Sequence, residues 1–199
     1  MVWTVLLSVS IIAFVIGFLV KFVDFIEDDL KLVKKKEIKF NFIQNLSFPL
    51  GVLYGLLIAI MIIVWPILLP LAIGTILGEI LARKIDVIGH YIGLFIFVIL
   101  CAFLISLGIL NVGLNLSFVA FALVFLAASV LDEFADKYFE KFSGNSTQKS
   151  FFSYRPFLEI IAFLVSLITN QWIIWVTILS FDVAYILSTK ILPKILLKK

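Results

Sequence analysis

The chain has 199 residues, of which 63% are hydrophobic and only 15% are charged. Soluble domains are on average about half apolar and about a quarter charged, so this composition excludes a soluble enzyme, a nucleic-acid-binding module and a secreted disulfide scaffold. With a mean hydropathy of +1.22, the sequence predicts an all-α polytopic membrane protein whose surroundings are membrane lipids, with no nucleic acid as a partner.

The chain holds one cysteine, Cys101, and one histidine, His90. Cys101 lies inside an apolar run, so neither a disulfide framework nor a CxxC metal site is expected. A single histidine also excludes a metal site built from several histidines.

Charged side chains are confined to four stretches, which cover residues 21–39, 79–86, 132–159 and 182–199. The uncharged segment before the first stretch is long enough for one membrane crossing of about 20 residues. Each of the three later uncharged segments is long enough for two crossings, and each has helix-breaking residues near its middle.

In chain order, these segments predict seven transmembrane helices arranged as three, one and three. The predicted spans lie near 2–22, 47–64, 66–83, 88–109, 115–132, 155–169 and 172–190. This arrangement puts every charged stretch on one face of the membrane. Because Lys and Arg favour the cytoplasmic face, the sequence predicts a cell-membrane protein with its charged loops and C-terminus in the cytoplasm and its N-terminus outside.

The seven spans are expected to form one membrane domain, 1–199, that contains an internal repeat. Each half ends its first span with an Asp-x-x-x-Asp pair and opens a later span with a proline, at Pro49 and Pro156. The predicted parts are a first three-helix half at 1–86, a linker helix at 87–111 and a second half at 112–199. Since one linker span separates the halves, the repeats would be parallel.

Two hairpins, at 47–82 and 155–189, leave only about 17 residues for each span, which is the lower limit for crossing a bilayer. Either hairpin could instead re-enter the membrane and return to the same side. The distribution of charge is the same in both cases, so the alternatives stay open at this point.

The two Asp-x-x-x-Asp pairs are the strongest candidates for a chemical site, and they consist of Asp24, Asp28, Asp132 and Asp136. Carboxylates four residues apart share one helix face and repel each other unless a cation or a basic partner lies between them. Two such pairs at a repeat interface would provide oxygen ligands of the kind that Mg²⁺ prefers. The alternative is that these aspartates are solvated at headgroup level and paired with Lys21, Lys31 and Lys137.

Three other residues are candidates for binding a substrate: Arg155, Asp182 and Glu79. Arg155 precedes Pro156 at the start of a span, where its guanidinium could grip a phosphate. Asp182 lies inside an apolar stretch and needs a partner, for which Arg155 is one candidate. For Glu79, a local ion pair with Arg83, four residues later, is the structural alternative.

His90 follows Asp86 by four residues at the start of the linker span. The pair could shuttle a proton, or Asp86 could cap the helix and leave His90 with a structural role. Three Gly-x-x-x-Gly motifs predict closely packed helices and allow oligomer formation; they begin at Gly51, Gly74 and Gly89. The basic cluster at 34–36 indicates orientation and contact with anionic lipids.

Three functions are compatible with these features. The preferred hypothesis is a Mg²⁺-dependent enzyme that acts on a polyprenyl or lipid phosphate at the cytoplasmic interface, with the four aspartates holding the metal. The second is a small-solute or ion transporter built from two three-helix repeats. The third is a structural or assembly subunit of the membrane.

Overall fold

The computed structural model describes residues 2–29, 46–111, 113, 115–142 and 155–196. Within these residues the chain forms seven α-helices and no strand, which confirms the predicted all-helical class. The helices are α1 (Val2–Asp24), α2 (Ser47–Val64), α3 (Leu69–Leu81), α4 (Ile88–Ser106), α5 (Leu116–Phe142), α6 (Pro156–Thr169) and α7 (Ile173–Leu196). The basic cluster at 34–36 lies outside the described residues.

Among the residues that the structure describes, five helices are long and apolar enough to cross a membrane, namely α1 with its extension, α2, α4, α5 and α7. Each has 18 to 25 residues in its candidate span, which at about 1.5 Å per residue matches a hydrocarbon core of about 30 Å. Large apolar side chains such as Trp3 and Leu116 are more than four-fifths exposed, as expected for a surface that faces lipid. The chain therefore has the architecture of a multi-pass helical membrane protein.

Helices α3 and α6 are shorter, with 13 and 14 residues. At about 1.5 Å per residue each is about 20 Å long, which is less than the thickness of the hydrocarbon core. Full crossing by the two short hairpins therefore stays a prediction, and re-entry remains the alternative.

Two turns depart from the α-helical pattern. A π-helical turn at Phe25–Asp29 continues α1, and a 3₁₀ turn at Pro66–Leu68 precedes α3. Pro66 opens that turn, where a missing backbone N–H costs nothing. The π-helical turn widens the helix at the point where α1 carries its acidic residues, and such turns are frequent at functional sites.

The chain divides into two compact units. Unit 1 consists of Met1–Val9, Trp65–Ile85 and Val112–Leu179, and unit 2 consists of Ser10–Val64, Asp86–Asn111 and Ser180–Lys199. Each unit draws on both predicted halves of the sequence. The predicted halves are consecutive stretches of the sequence, whereas the units are defined by contacts in space. The units therefore do not test the internal repeat, which stays a prediction.

Glycines bring helices into close contact within each unit. In unit 2, Gly51 and Gly55 of α2 face Gly89 and Gly93 of α4, with no room for a Cβ atom at any of the four positions. In unit 1, Gly74 and Gly78 of α3 lie against α5 in the same way. The close packing expected of the Gly-x-x-x-Gly motifs is thus found inside the chain.

The π-helical turn is held in unit 2 by an apolar cluster. Phe25 and Ile26 are almost fully buried against Leu192 of α7, and four partly buried side chains pack around them. Burial of aromatic and aliphatic side chains of this size stabilises a fold by about 1.5–3 kcal/mol each. The cluster fixes the end of α1, which carries the carboxylates of Asp24 and Glu27.

Candidate functional site

The clearest polar cluster of unit 2 begins with an ion pair between α1 and α4. His90 is the third residue of α4, and its Nε2 lies 2.6 Å from Oδ1 of Asp24, the last residue of α1. The two side chains are only 13% and 18% exposed. A carboxylate at this distance from an imidazole nitrogen fixes the position of a ring proton.

The other oxygen of the same carboxylate is held by α7. The hydroxyl of Tyr185 donates to Oδ2 of Asp24 at 2.7 Å, and the Lys21 ammonium lies 5.1 Å from the centre of the Tyr185 ring. Both oxygens of Asp24 are therefore engaged. This fixes the orientation of the carboxylate toward His90.

The second ring nitrogen of His90 faces α2. The Tyr54 hydroxyl lies 3.1 Å from Nδ1 of His90 and 3.1 Å from the carbonyl oxygen of Gly89. The Tyr54 ring occupies the space over Gly93, where any side chain would collide with it. Three helices thus contribute to one hydrogen-bonded series, which we name the Asp24–His90–Tyr54 chain.

The start of α4 is capped by Glu27, which lies in the π-helical turn. Its carboxylate accepts hydrogen bonds from the backbone N–H groups of Ile88 at 3.2 Å and Gly89 at 2.9 Å, and from the Ser47 hydroxyl. A negative charge beside the first N–H groups of a helix is favourable. Glu27 therefore fixes the turn of α4 that carries His90.

The predicted pairing of His90 with Asp86 is wrong, and so is the expected cap by Asp86. The residue that precedes α4 is Val87, which has no side-chain cap, and the capping and pairing carboxylates both come from the end of α1. Asp86 lies before the first turn of α4, whereas contact between the end of α1 and the start of α4 brings Asp24 to the imidazole.

In unit 1, Arg155 and Glu79 form an ion pair between the start of α6 and the end of α3. The same Nη2 atom of Arg155 lies 3.4 Å from the Ser129 hydroxyl of α5. The expected ion pair of Glu79 with Arg83 is wrong. Arg83 adopts a left-handed backbone conformation just beyond α3, so it no longer follows the helical spacing that predicted the pair.

Asp132 caps α6 and is almost fully buried, at 1% exposure. Its two oxygens accept hydrogen bonds from the backbone N–H groups of Phe157 at 2.9 Å and Leu158 at 2.7 Å. Asp132 is therefore neither solvated nor paired with Lys137. The Lys137 ammonium instead donates to the carbonyl oxygen of Ala82. Asp132 in unit 1 and Glu27 in unit 2 therefore both cap a helix by accepting hydrogen bonds from its first backbone N–H groups.

The four predicted metal ligands are distributed over both units. Asp24 belongs to unit 2, while Asp132 and Asp136 belong to unit 1. The side chain of Asp28 is not among those described. In the part of the chain that the structure describes, no group of three or more His, Cys, Asp or Glu side chains could hold a metal ion. A Mg²⁺ site at these aspartates stays a prediction.

The three predicted substrate-binding residues are likewise separated between the units. Arg155 and Glu79 contact each other in unit 1, and Asp182 lies buried on α7 in unit 2, three residues before Tyr185. Arg155 is held by Glu79 and Ser129. A role for these residues in binding substrate stays a prediction.

Three residues of the unit 2 cluster were not predicted from the sequence: Glu27, Tyr54 and Tyr185. Glu27 lies in the acidic stretch that follows α1, so its charge could have indicated a role beside Asp24. Tyr54 lies between the two glycines of the motif that begins at Gly51, and a polar side chain on such a closely packed face is a second signal.

No protein-family model, no curated protein and no solved structure matches this chain. The class that the fold defines is a helical multi-pass membrane protein. Its unit 2 contains a hydrogen-bonded Asp–His–Tyr series, in which Asp24 ends α1, His90 lies in the first turn of α4 and Tyr54 lies inside α2.

Proposed function

We propose that this protein is an integral membrane enzyme that acts on a phosphate-bearing lipid at the membrane interface, with His90 as its acid–base residue. The observation that supports this most strongly is the 2.6 Å contact between Asp24 and Nε2 of His90. Ionisable residues inside membrane helices are costly, and they are usually functional.

The pairing gives the two ring nitrogens different roles. Because Asp24 accepts a hydrogen bond at Nε2, the neutral imidazole carries its proton there and has a lone pair at Nδ1. Nδ1 is then the atom that takes a proton from an attacking water molecule as the water oxygen bonds to phosphorus. The bond between phosphorus and the lipid oxygen breaks with its electron pair on that oxygen, and the imidazolium returns the proton to it. General base catalysis of this kind contributes about 10²–10⁴-fold to a rate.

The depth of the site favours an interfacial enzyme over a small-solute or ion transporter. Asp24 is the last residue of α1 and His90 is the third residue of α4, so both lie at helix ends, beside the charged stretches of the sequence. Lipid phosphates occur at this level of a bilayer, whereas transporter sites typically lie near the midplane.

In this proposal Asp24 positions His90, so it is not required as a metal ligand. Mg²⁺ coordination by Asp24, Asp28, Asp132 and Asp136 belongs to an alternative form of the same hypothesis, in which the metal would neutralise the phosphate. We place the charged loops and the C-terminus in the cytoplasm and the N-terminus outside, because Lys and Arg favour the cytoplasmic face.

The third hypothesis, a structural or assembly subunit, predicts that the same hydrogen bonds only tie α1, α2, α4 and α7 together. The two hypotheses differ in whether His90 is needed for turnover. Replacing a structural histidine would lower the stability of the protein and leave its turnover intact. Replacing a general base would also slow turnover.

The test uses the full chain in phosphatidylcholine vesicles that contain either phosphatidic acid or a polyprenyl diphosphate. We expect release of inorganic phosphate by the parent protein and at least about a hundredfold slower release by His90→Gln. Ser106→Ala is the control, because Ser106 is exposed and donates only to a carbonyl of its own helix. The proposal would be contradicted if the parent released no phosphate from either lipid, or if the parent and His90→Gln released it at equal rates.

A further inference from the structure

Helix α5 continues beyond the length that the hydrocarbon core of a bilayer requires. It has 27 residues, Leu116–Phe142, and at about 1.5 Å per residue it is about 40 Å long, while the core is about 30 Å thick. With Leu116 at one edge of the hydrocarbon, the last two turns of α5 lie at the level of the headgroups of the opposite leaflet. The side chains of these turns therefore meet a layer of phosphate groups.

The acidic side chains of this part of α5 are turned into unit 1. Asp132 and Glu133 are only 1% and 4% exposed. Asp132 caps α6, and Glu133 forms an ion pair with Lys84 at 3.1 Å. Asp136 is half-buried. These carboxylates are consequently held away from the outward side of the helix.

The outward side of the same segment is apolar and cationic. Phe134 and Tyr138 are 66% and 59% exposed, and Lys137 and Lys141 are also exposed. Residues three or four apart share one side of a helix, so these four lie together, and we name them the α5 outer face. Among the side chains that the structure describes between 132 and 142, the two lysines are the exposed charged ones.

The order of these side chains along α5 matches the order of layers in a bilayer. Measured from Leu116, Phe134 lies at about 27 Å, Tyr138 at about 33 Å and Lys141 at about 38 Å. Phe134 is then at the edge of the hydrocarbon and Tyr138 at the interface, where tyrosine rings are enriched. A lysine beyond them can keep its stem along the apolar surface and its ammonium among the headgroups.

We propose that the α5 outer face binds anionic phospholipids of the bilayer, with Lys137 and Lys141 contacting the phosphate groups and the two aromatic rings contacting the lipid beneath them. Clustered lysines beside a membrane span attract anionic lipids. Lys137 donates to the carbonyl oxygen of Ala82 at 2.7 Å, and an ammonium has three N–H groups, so two stay for a lipid. The surface lies in unit 1 and does not involve His90, so it is independent of the proposed enzymatic activity.

The test measures which lipid lies next to α5. The full protein, with Leu131→Cys in a Cys101→Ser background, carries a fluorophore on the new cysteine, because Leu131 is exposed one turn before Phe134. It is placed in phosphatidylcholine nanodiscs that contain a small, equal fraction of nitroxide-labelled phosphatidylglycerol or nitroxide-labelled phosphatidylcholine. We expect the phosphatidylglycerol to quench the fluorophore about two- to fivefold more strongly.

The same fluorophore at Val119→Cys is the control for position. Val119 is exposed in the uncharged part of α5, so the two nitroxide lipids should quench it equally. A preference for phosphatidylglycerol of the same size at Val119 would overturn the inference, because it would belong to the whole protein and not to the α5 outer face.

The lysines are tested by Lys137→Gln with Lys141→Gln, and the control for charge is Lys190→Gln with Lys194→Gln, an exposed pair with the same spacing on α7. The preference at Leu131 should be lost in the α5 pair and kept in the α7 pair. Lys141→Gln alone, which leaves the Lys137 contact with Ala82 intact, should lower the preference by about half.

Equal quenching by the two lipids at Leu131 in the unsubstituted α5 outer face would overturn the inference, and this result needs no lysine variant that folds. An unchanged preference in the α5 pair would also overturn it. Loss of the preference on addition of millimolar glycerol phosphate would show that the surface binds a free phosphate compound and would contradict the assignment to bilayer lipid.

Discussion

Oδ1 of Asp24 lies 2.6 Å from Nε2 of His90, although 66 residues separate the two in the chain. The contact joins the end of α1 to the first turn of α4. Since Tyr185 of α7 holds the other carboxylate oxygen, a single side chain links three helices. The imidazole is consequently held at Nε2, and Nδ1 is the nitrogen that faces Tyr54.

Asp24→Asn should lower the rate of phosphate release by about a hundredfold or more. The amide keeps the size of the side chain, but it no longer stabilises an imidazolium or fixes the ring proton on Nε2. The measurement is the initial rate in the vesicle assay with phosphatidic acid or a polyprenyl diphosphate.

Asp136→Asn is the matched control for this acid-to-amide change. Asp136 is half-buried in unit 1, and it has no part in the Asp24–His90–Tyr54 chain, so its substitution should leave the rate within about twofold. An equal and large loss in both variants would favour the Mg²⁺ form of the hypothesis, which requires all four aspartates.

Asp132→Asn should destabilise the protein by about 1–3 kcal/mol, because an asparagine has only one oxygen for the two N–H groups at the start of α6. The measurement is the melting temperature of the purified protein in detergent without divalent metal. The four-aspartate hypothesis predicts the opposite, since removing one of four repelling charges should leave stability equal or raised. Addition of Mg²⁺ separates the two further, because a metal at about a hundred times its Kd stabilises by about 2.7 kcal/mol.

Hydropathy and charge were sufficient to predict the helices. The predicted span at 47–64 has the same bounds as α2, and the breaker Trp65-Pro66 marks the turn before α3. These features depend on local composition, which can be read directly from the sequence. The predicted fifth span ended at 132, whereas α5 continues to Phe142, because an amphipathic helix extends beyond the apolar segment that a hydropathy criterion detects.

The partners within the site depend on contacts between helices distant in the chain, so they were not predictable in the same way. Spacing within one helix suggested Asp86 for His90 and Arg83 for Glu79, and the structure has Asp24 and Arg155 in those places. A period of four residues describes neighbours on one helix face. It carries no information about which second helix packs against that face.

Gly51→Ala should destabilise the protein by about 1–3 kcal/mol, because an added Cβ would collide with the backbone of Gly89. Gly113→Ala is the control, since nothing lies within 4 Å of a Cβ at that position. Melting temperature in detergent measures the effect, and size-exclusion chromatography with light scattering tests the oligomer prediction. A change of oligomeric state with unchanged stability would indicate that the glycine face binds a second copy instead of α4.

The proposed sidedness is tested with single introduced cysteines in a Cys101→Ser background. A cysteine at Gly113 should react with a membrane-impermeant thiol reagent applied to intact cells, and one at Gly144 should react only after the cells are opened. For the short hairpins, a cysteine at Gln171 should also label from outside if α6 and α7 both cross the membrane. Protection at Gln171 together with labelling at Gly113 would indicate re-entry, and labelling of Gly144 in intact cells would reverse the orientation.

The central claim is that a lipid phosphate is bound beside Nδ1 of His90, and chemical modification of this single histidine tests it most directly. Diethyl pyrocarbonate acylates a ring nitrogen whose lone pair is free, as that of Nδ1 is whenever the Tyr54 hydroxyl donates to the Gly89 oxygen. Mass spectrometry of the peptide that contains His90 gives the rate. We predict that His90 of the parent protein is modified in phosphatidylcholine nanodiscs, and that phosphatidic acid or a polyprenyl phosphate in the same nanodiscs slows the modification severalfold. A rate that is the same with and without these lipids would contradict the account.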